Sequence, residues 1–462
     1  MFYVLRRGIL MIRQKLCDTT NTAEMAYNQD DCSCTILAQR GEHAMATTST
    51  VDPQRVIREL QELRTLTGDE NGAQREAWTP VWAKARQWLR EKLAELPVEM
   101  HQDEAGNLWA TLAGASERAL LIGGHIDSVP NGGWLDGCLN TLAGVEILRR
   151  LAGEVAAGRQ LPVTVRLVDW ADEEGARFGH SLLGSSAAAG VLNVAEAATL
   201  RDRHGLRLTD VLPDYGVDIY RAHEAGKELA NVAASLELHI EQGPVLEKLG
   251  LPLGAVISTF GVERHSIKFV GQAAHAGSTP MDQRRDALGA AAKLALEIRE
   301  IGKRNGGVCT CGSVRVVPNI PTAVVGECHI TLDQRHVDAE GLATMLAEAK
   351  VAAERFAAEE NVAMTWSHLW RIAPIPFHPE LVDLCEAAIL ETCGESHRLP
   401  SGPLHDAASV ARTGIPTVMM FVQSLRGLSH AKEEDTKLEH IAQSVIALDK
   451  LAGKTMDWIV AQ

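Results

Sequence analysis

The sequence predicts an α/β domain on a mostly parallel central sheet, interrupted by an inserted α+β domain. Three observations carry that reading. Continuous apolar runs, Ala119–Ile126 (ALLIGGHI), Val163–Trp170 (VTVRLVDW) and Ala234–Ile240 (ASLELHI), alternate with helical segments. Runs of that kind are strands buried on both faces, as parallel sheets require. After Gly250 the texture changes, and HSIKFVGQ and ECHITLDQRH alternate apolar with polar residues, which marks antiparallel strands with one wet face. Later the first texture returns with IPTVMMFV.

Taken in order, residues 53–98 carry helical periodicity, best in RVIRELQELRTL and WAKARQWLREKLAEL. Thr141–Leu151 reads as the helix between the first two buried strands. DALGAAAKLALEIREIG and AEGLATMLAEAKVAAERFAAEE read as helices around the alternating strands. The expected domains are a discontinuous α/β unit, 45–252 with 367–462, and an insertion at 253–366. Residues 1–44 are expected to be a non-domain extension, with Met45 as the natural beginning: the opening is basic, with apolar runs too short for a secretory signal.

The chain has 462 residues, 46% of them hydrophobic, so a full core can form. Its formal charge of −15 argues against nucleic acid and anionic membrane as partners. No stretch is long and apolar enough for a transmembrane helix. Nine scattered cysteines without framework spacing suggest reduced thiols and a cytoplasmic location.

The chemistry-bearing residues cluster at strand ends. In GGHIDSVPNGGWLDG, His125 follows a buried strand, at the sheet end where functional groups gather. Asp127, two residues on, can share a face with His125 and hold the imidazole's second nitrogen. Asp136 follows a Pro/Gly-rich turn that can bend it back, and its two oxygens can bridge two cations. A lone buried histidine is more often a satisfied core residue, but that reading must also explain Asp127, the bend and Asp136. In DWADEEG, the adjacent Glu173 and Glu174 cannot both point the same way, so one can ligate while the other serves as base. An isolated EE pair is normally an acidic loop; its position after a hydrophobic strand counts against that. His239 ends a buried strand in ELHIEQGP, and His430 follows another in GLSHAKEEDT. Strand-end His, Asp, Glu, His and His fit a borderline metal such as Zn²⁺, with coordination positions left for water.

These segments, in this order, together with HAGSTPMDQRRDA, Pro318–Asn319, LDQR and LHDA, resemble the di-zinc aminoacylase/carboxypeptidase superfamily. More narrowly they resemble its hydantoinase/carbamoylase amidase branch, which holds N-carbamoyl-L-amino-acid hydrolases, allantoate amidohydrolases and some β-ureidopropionases. The resemblance implies a di-zinc exopeptidase-like domain with two divalent ions per subunit, Zn²⁺ first, with Mn²⁺, Co²⁺ or Ni²⁺ as alternatives. It implies His125 and His239 on one metal, Glu174 and His430 on the other, Asp136 bridging, Asp127 orienting His125, and Glu173 as general base. The insertion would be a lid and homodimerisation domain. From it His275 would reach the developing oxyanion across the dimer interface, and Arg335 would clamp a substrate carboxylate bidentately. Gln242, Asn319 and His405 would be further substrate contacts. The expected substrate is a small, carboxylate-bearing ureido compound. PNIPT and SGPLHD depart from the branch's common pattern on the substrate side, at Thr322 and Pro403–Leu404. The rivals are a dipeptidase or aminoacylase of the same superfamily and a scaffold that has lost catalysis. The Gln242 and HAGSTPMDQRRDA signature argues against the first, and the filled base and ligand positions against the second.

Overall fold

A computed structural model describes residues 50–462; the expected extension at 1–44 lies outside the described residues. Two helices open the described chain, Pro53–Thr67 and Pro80–Ala94, each with a proline in its first turn. Asp52 caps the first by accepting the N–H groups of Gln54 and Arg55.

A nine-stranded sheet forms the main layer. Its centre is parallel: Thr164–Trp170, Ala119–His125, Val232–Ile240 and Thr417–Val422 lie side by side in that order. Every residue of Ala119–His125 and of Thr417–Val422 is buried, as the unbroken apolar runs require. The flanks carry antiparallel pairs, with Arg398–Ser401 added in parallel to Leu253–Thr259, so the central sheet is mixed. On one side Leu108–Leu112 pairs with Thr164–Trp170 and with Glu99–Gln102; a connection of five residues allows only an antiparallel hairpin. On the other, Leu253–Thr259 runs antiparallel to Thr417–Val422. Helix Cys138–Ala156 packs on the sheet, and Leu438–Ala461 packs beside it with Leu448 and Leu451 buried.

A separate five-stranded sheet is built on the antiparallel pairing of Gly261–Val270 with Glu327–His336, flanked by Ala363–Ile372. Helices Ala287–Arg304 and Ala339–Glu359 cover one face, and Ile267, Phe269, Leu294, Ile298 and Met345 form its own core. The strands of this sheet run from Gly261 to Ile372. Leu253–Thr259, placed in the insertion by its neighbours in sequence, hydrogen-bonds into the main sheet, and Ala363–Ile372 crosses the expected end at 366. Strand pairing therefore sets the exchange between sheets later than the change in texture does at both ends. No helix among the described residues is long and apolar enough to cross a membrane.

Candidate metal centre and substrate cavity

The carboxyl ends of the parallel strands converge. His125 is the last residue of its strand and is fully buried. Its Nδ1 faces the Asp127 backbone carbonyl at 3.2 Å and the Asp127 carboxylate at 3.5 Å. The other nitrogen, Nε2, points inward with no hydrogen-bond partner. His239 repeats the arrangement: Nδ1 faces the carbonyl of Ile240 at 2.9 Å, and Nε2 lies 3.0 Å from Asp136. Asp136 returns to His125 because Gly137 turns the chain at φ 66°. A Cβ at Gly137 would stand 2.3 Å from the His125 ring, so glycine alone fits.

Asp127 does more than orient an imidazole. Its carboxylate accepts the N–H of Glu173 at 3.3 Å and of Glu174 at 3.2 Å, tying the acidic turn to the histidine strand. Glu174 faces His430 Nε2 at 3.2 Å, and His430 Nε2 lies 3.6 Å from the second oxygen of Asp136. Two triads result: His125, Asp136 and His239, and Asp136, Glu174 and His430, the ligand atoms of each within 4.8 Å of one another. Asp136 belongs to both. Glu173 stands 3.7 Å from His125 Nε2 and belongs to neither triad.

The electrostatics favour cations. Burial pushes the carboxyl of Glu173 well up, helped by the charges of Asp406 and Glu174. Burial and Asp136 do the same to Glu174, and burial and Asp406 to Glu237. Burial alone would lower His125, but Glu173, Asp127 and Asp136 outweigh it and raise it well above the usual histidine range. Burial and His239 depress His405. So many buried carboxylates are costly without positive charge among them. His125 Nε2 and one oxygen of Glu174 are buried without partners. Imidazole and carboxylate donors with vacant lone pairs fit divalent metal ions.

One functional neighbour escaped the sequence reading. Glu434 is 1% exposed and accepts the N–H groups of Leu135 and Asp136, both at 3.1 Å. Ser429 lies 2.8 Å from Asp136 and 3.1 Å from Glu434. The single hydroxyl proton of Ser429 can serve only one of the two carboxylates at a time, and burial with the charge of Asp136 holds the Glu434 carboxyl up at about 8. It stands in the charged run KEED, where the sequence alone gives no sign of which carboxylate is buried.

The triads floor a cavity of about 670 Å³ whose wall includes Gln242, His405 and, from the smaller sheet, Arg335. Gln242, at φ 54°, donates to Asp136 at 2.8 Å and to Ser429 at 3.0 Å. His405 is buried behind His239 with ring centres 4.2 Å apart, its Nε2 3.0 Å from the Ser401 hydroxyl. Arg335 donates from Nε to Asp333 at 2.9 Å and from Nη1 to the Gly402 carbonyl at 3.2 Å. It thereby joins the smaller sheet to the rim of the main one. His275 and Asn319 stand apart: both are exposed and neither lines the cavity. His275 lies in a two-residue strand, Ala274–His275, paired with Ala323–Val324. The N–H groups of Gly277 and Ser278 donate to His275 Nδ1 at 3.1 and 3.2 Å, which leaves the proton of the neutral ring on Nε2.

Known proteins resemble this chain in sequence and in fold. The sequence profile of Peptidase family M20/M25/M40 matches residues 121–454. An N-carbamoyl-L-amino acid amidohydrolase of Geobacillus stearothermophilus is 35% identical over 396 residues, 85% of this chain and 96% of that protein. The allantoate amidohydrolase of Escherichia coli is 32% identical, covering 82% of this chain and 91% of the relative. Among solved structures, a hydantoinase/carbamoylase-family amidase from Burkholderia multivorans superposes with a TM-score of 0.79 at 30% identity, covering 87% of this chain and 98% of its own. The chain belongs to peptidase family M20/M25/M40.

Proposed function

We propose that this member of the M20 family is a metal-dependent amidohydrolase acting on the carbamoyl or ureido C–N bond of an N-carbamoyl-L-amino acid. The products would be the free amino acid, carbon dioxide and ammonia. The observation that carries the reading is the single cavity with two ligand triads sharing Asp136 on its floor and the Arg335 guanidinium on its wall. The names of the relatives fit the same chemistry. One named for allantoate keeps allantoate as the second substrate to try, and β-ureidopropionate follows.

His125 and His239 would hold one divalent ion and Glu174 and His430 the other, with Asp136 between; zinc suits the donor set, and manganese, cobalt or nickel could replace it. Such ions supply Lewis acidity and lower the pKa of water. Glu173 takes the proton of the attacking water and returns it to the leaving nitrogen, work suited to a carboxylate whose pKa burial has raised. Arg335 binds the substrate carboxylate through its terminal nitrogens, while Gln242 and His405 line the approach. His275, with a donor Nε2–H, would stabilise the oxyanion. Because it is exposed and outside the cavity of its own chain, this role calls for a second copy, docked through the smaller unit as a homodimer. The free thiols of the described residues suit a reducing compartment such as the cytoplasm.

The test is a panel of N-carbamoyl-L-amino acids, allantoate, β-ureidopropionate and dipeptides, each run with Zn²⁺, Mn²⁺ and Co²⁺. Ureido substrates should turn over and dipeptides should not; dipeptide cleavage without ureido cleavage would sink the reading.

A further inference from the structure

The strand pair that carries Arg335 presents a second guanidinium to the same cavity, and nothing above uses it. Arg264, on Gly261–Val270, sits directly across the ladder from Asp333. The two oxygens of Asp333 divide their service: one accepts Nε of Arg264 at 2.7 Å, the other Nε of Arg335 at 2.9 Å. Two cations share one anion, so one positive charge remains in excess on this wall. Among the described residues the terminal nitrogens of Arg264 make no hydrogen bond, while Arg335 gives one of its own to Gly402.

Trp370 lies over Arg264, with the guanidinium carbon 5.2 Å from the ring centre. A β-bulge puts it there. His368 pairs with His265, but Trp370 pairs with Arg264, so Leu369 is the extra residue. With Leu369 paired in regular register instead, Trp370 would oppose Glu263 and face the helices. The bulge turns it to the cavity face, a common use of bulges beside functional sites. Val262 and Ile372 complete an otherwise apolar wall around the two arginines.

We propose that Arg264, tied to Asp333 and stacked on Trp370, is the specificity-determining residue of a side-chain subsite. Arg335 takes the substrate's α-carboxylate, and Arg264 takes a second oxygen acceptor further along the substrate, a carboxylate or a ureido oxygen. The proposal rests on the ureido-hydrolase reading. An apolar side chain would strip water from the free N–H groups of Arg264 and return nothing, and a site built to donate hydrogen bonds rejects such analogues strongly.

The experiment measures kcat/KM of the metal-loaded enzyme and of Arg264→Met on N-carbamoyl-L-glutamate, N-carbamoyl-L-glutamine, allantoate and N-carbamoyl-L-norleucine. Wild type should favour at least one acceptor-bearing compound over the norleucine derivative by about tenfold or more. Arg264→Met should collapse that ratio toward one, and Arg264→Lys should restore part of it. Glutamate against glutamine reads the need for charge, and allantoate reads the ureido oxygen. A wild-type preference for norleucine, or an equal loss on all four compounds in Arg264→Met, would overturn the proposal. Turnover of none of them would remove the ureido-hydrolase reading instead. The subsite is then judged by thermal shift with the same ligands: stabilisation present in wild type and lost in Arg264→Met supports it, and equal shifts in both overturn it.

Discussion

The floor and the wall of the cavity are built on different principles. The floor takes its side chains from the ends of buried parallel strands or the turns that follow, where register with neighbouring strands fixes the backbone and burial fixes every side chain but the half-exposed His430. His125, Asp136, Glu173 and His239 are each under 8% exposed. The wall takes Arg264 and Arg335 from the interior of antiparallel strands whose cavity face is wet, and both guanidiniums remain partly exposed. A rigid, dry floor suits groups that must hold metal and move protons. A wet, adjustable wall suits groups that close on a substrate and release a product. The contrast teaches where damage should show: changes to the floor should alter metal content or kcat, and changes to the wall should alter KM and preference.

The largest effect expected is from metal removal. Chelation should abolish turnover, and a divalent ion should restore it; full activity in a verified metal-free preparation would break the division at its root. Next comes Glu173→Gln, expected to keep its metal and lose about 10²-fold or more in kcat, the usual scale for a general base. Glu174→Gln should instead lower the bound-metal content measured by elemental analysis. If the two variants exchange these phenotypes, base and ligand have been assigned the wrong way round.

On the wall, Arg335→Ala should cost roughly 2–4 kcal/mol in kcat/KM with metal content unchanged. Arg335→Lys keeps the charge but loses the fork, so its KM should still rise clearly. A substrate with an amidated carboxylate should erase the difference between wild type and Arg335→Ala. If the alanine variant keeps the wild-type preference for a free carboxylate, another residue is the clamp. A smaller effect should follow Glu434→Ala, which leaves the N–H groups of Leu135 and Asp136 without their acceptor. Groups that orient ligands typically change metal affinity by about 10–100-fold. Glu434→Gln, which can still accept both, should recover most of that loss in a metal titration.

The same contrast explains what the sequence made legible. On the floor, a polar residue after an apolar run is a local signal, so His125, His239 and the Glu173–Glu174 turn could be found without knowing the fold. Asp136 needed only the Pro/Gly-rich bend beside it. Glu434 could not be found, because its meaning is a contact with residues some 300 positions earlier and its neighbours are also charged. On the wall, alternation marked the strands but gave no sign that Arg264 faces a cavity. The neighbour that opposes the same face is water in one place and a catalytic cavity in another, and period two cannot tell them apart. The bulge at Leu369 breaks that period, so no count of alternating residues could have turned Trp370 inward. The sheet boundaries failed for a related reason: Leu253–Thr259 lies among insertion residues in sequence but bonds to Thr417–Val422 in space.

His275 belongs to neither floor nor wall of its own chain, and it sets the last expected outcome. It is exposed, outside the cavity, and holds its Nε2–H outward. If it serves the site of a second copy, each site takes Glu173 from one subunit and His275 from the other. A two-fold dimer makes that exchange reciprocal. Glu173→Gln and His275→Ala should then each be nearly inactive alone, yet complement when mixed. Random reassortment of equal amounts makes about half the dimers mixed, and each mixed dimer has one site with both residues intact, so activity should recover to about one quarter of wild type. Cross-linking that blocks reassortment before mixing should prevent the recovery. A mixture that only averages the activities of the two variants, under conditions where light scattering shows exchanging dimers, would mean that His275 acts within its own chain after a closing motion or does not act at all. The wall would then be supplied by a single subunit, and the homodimer would have no part in the chemistry.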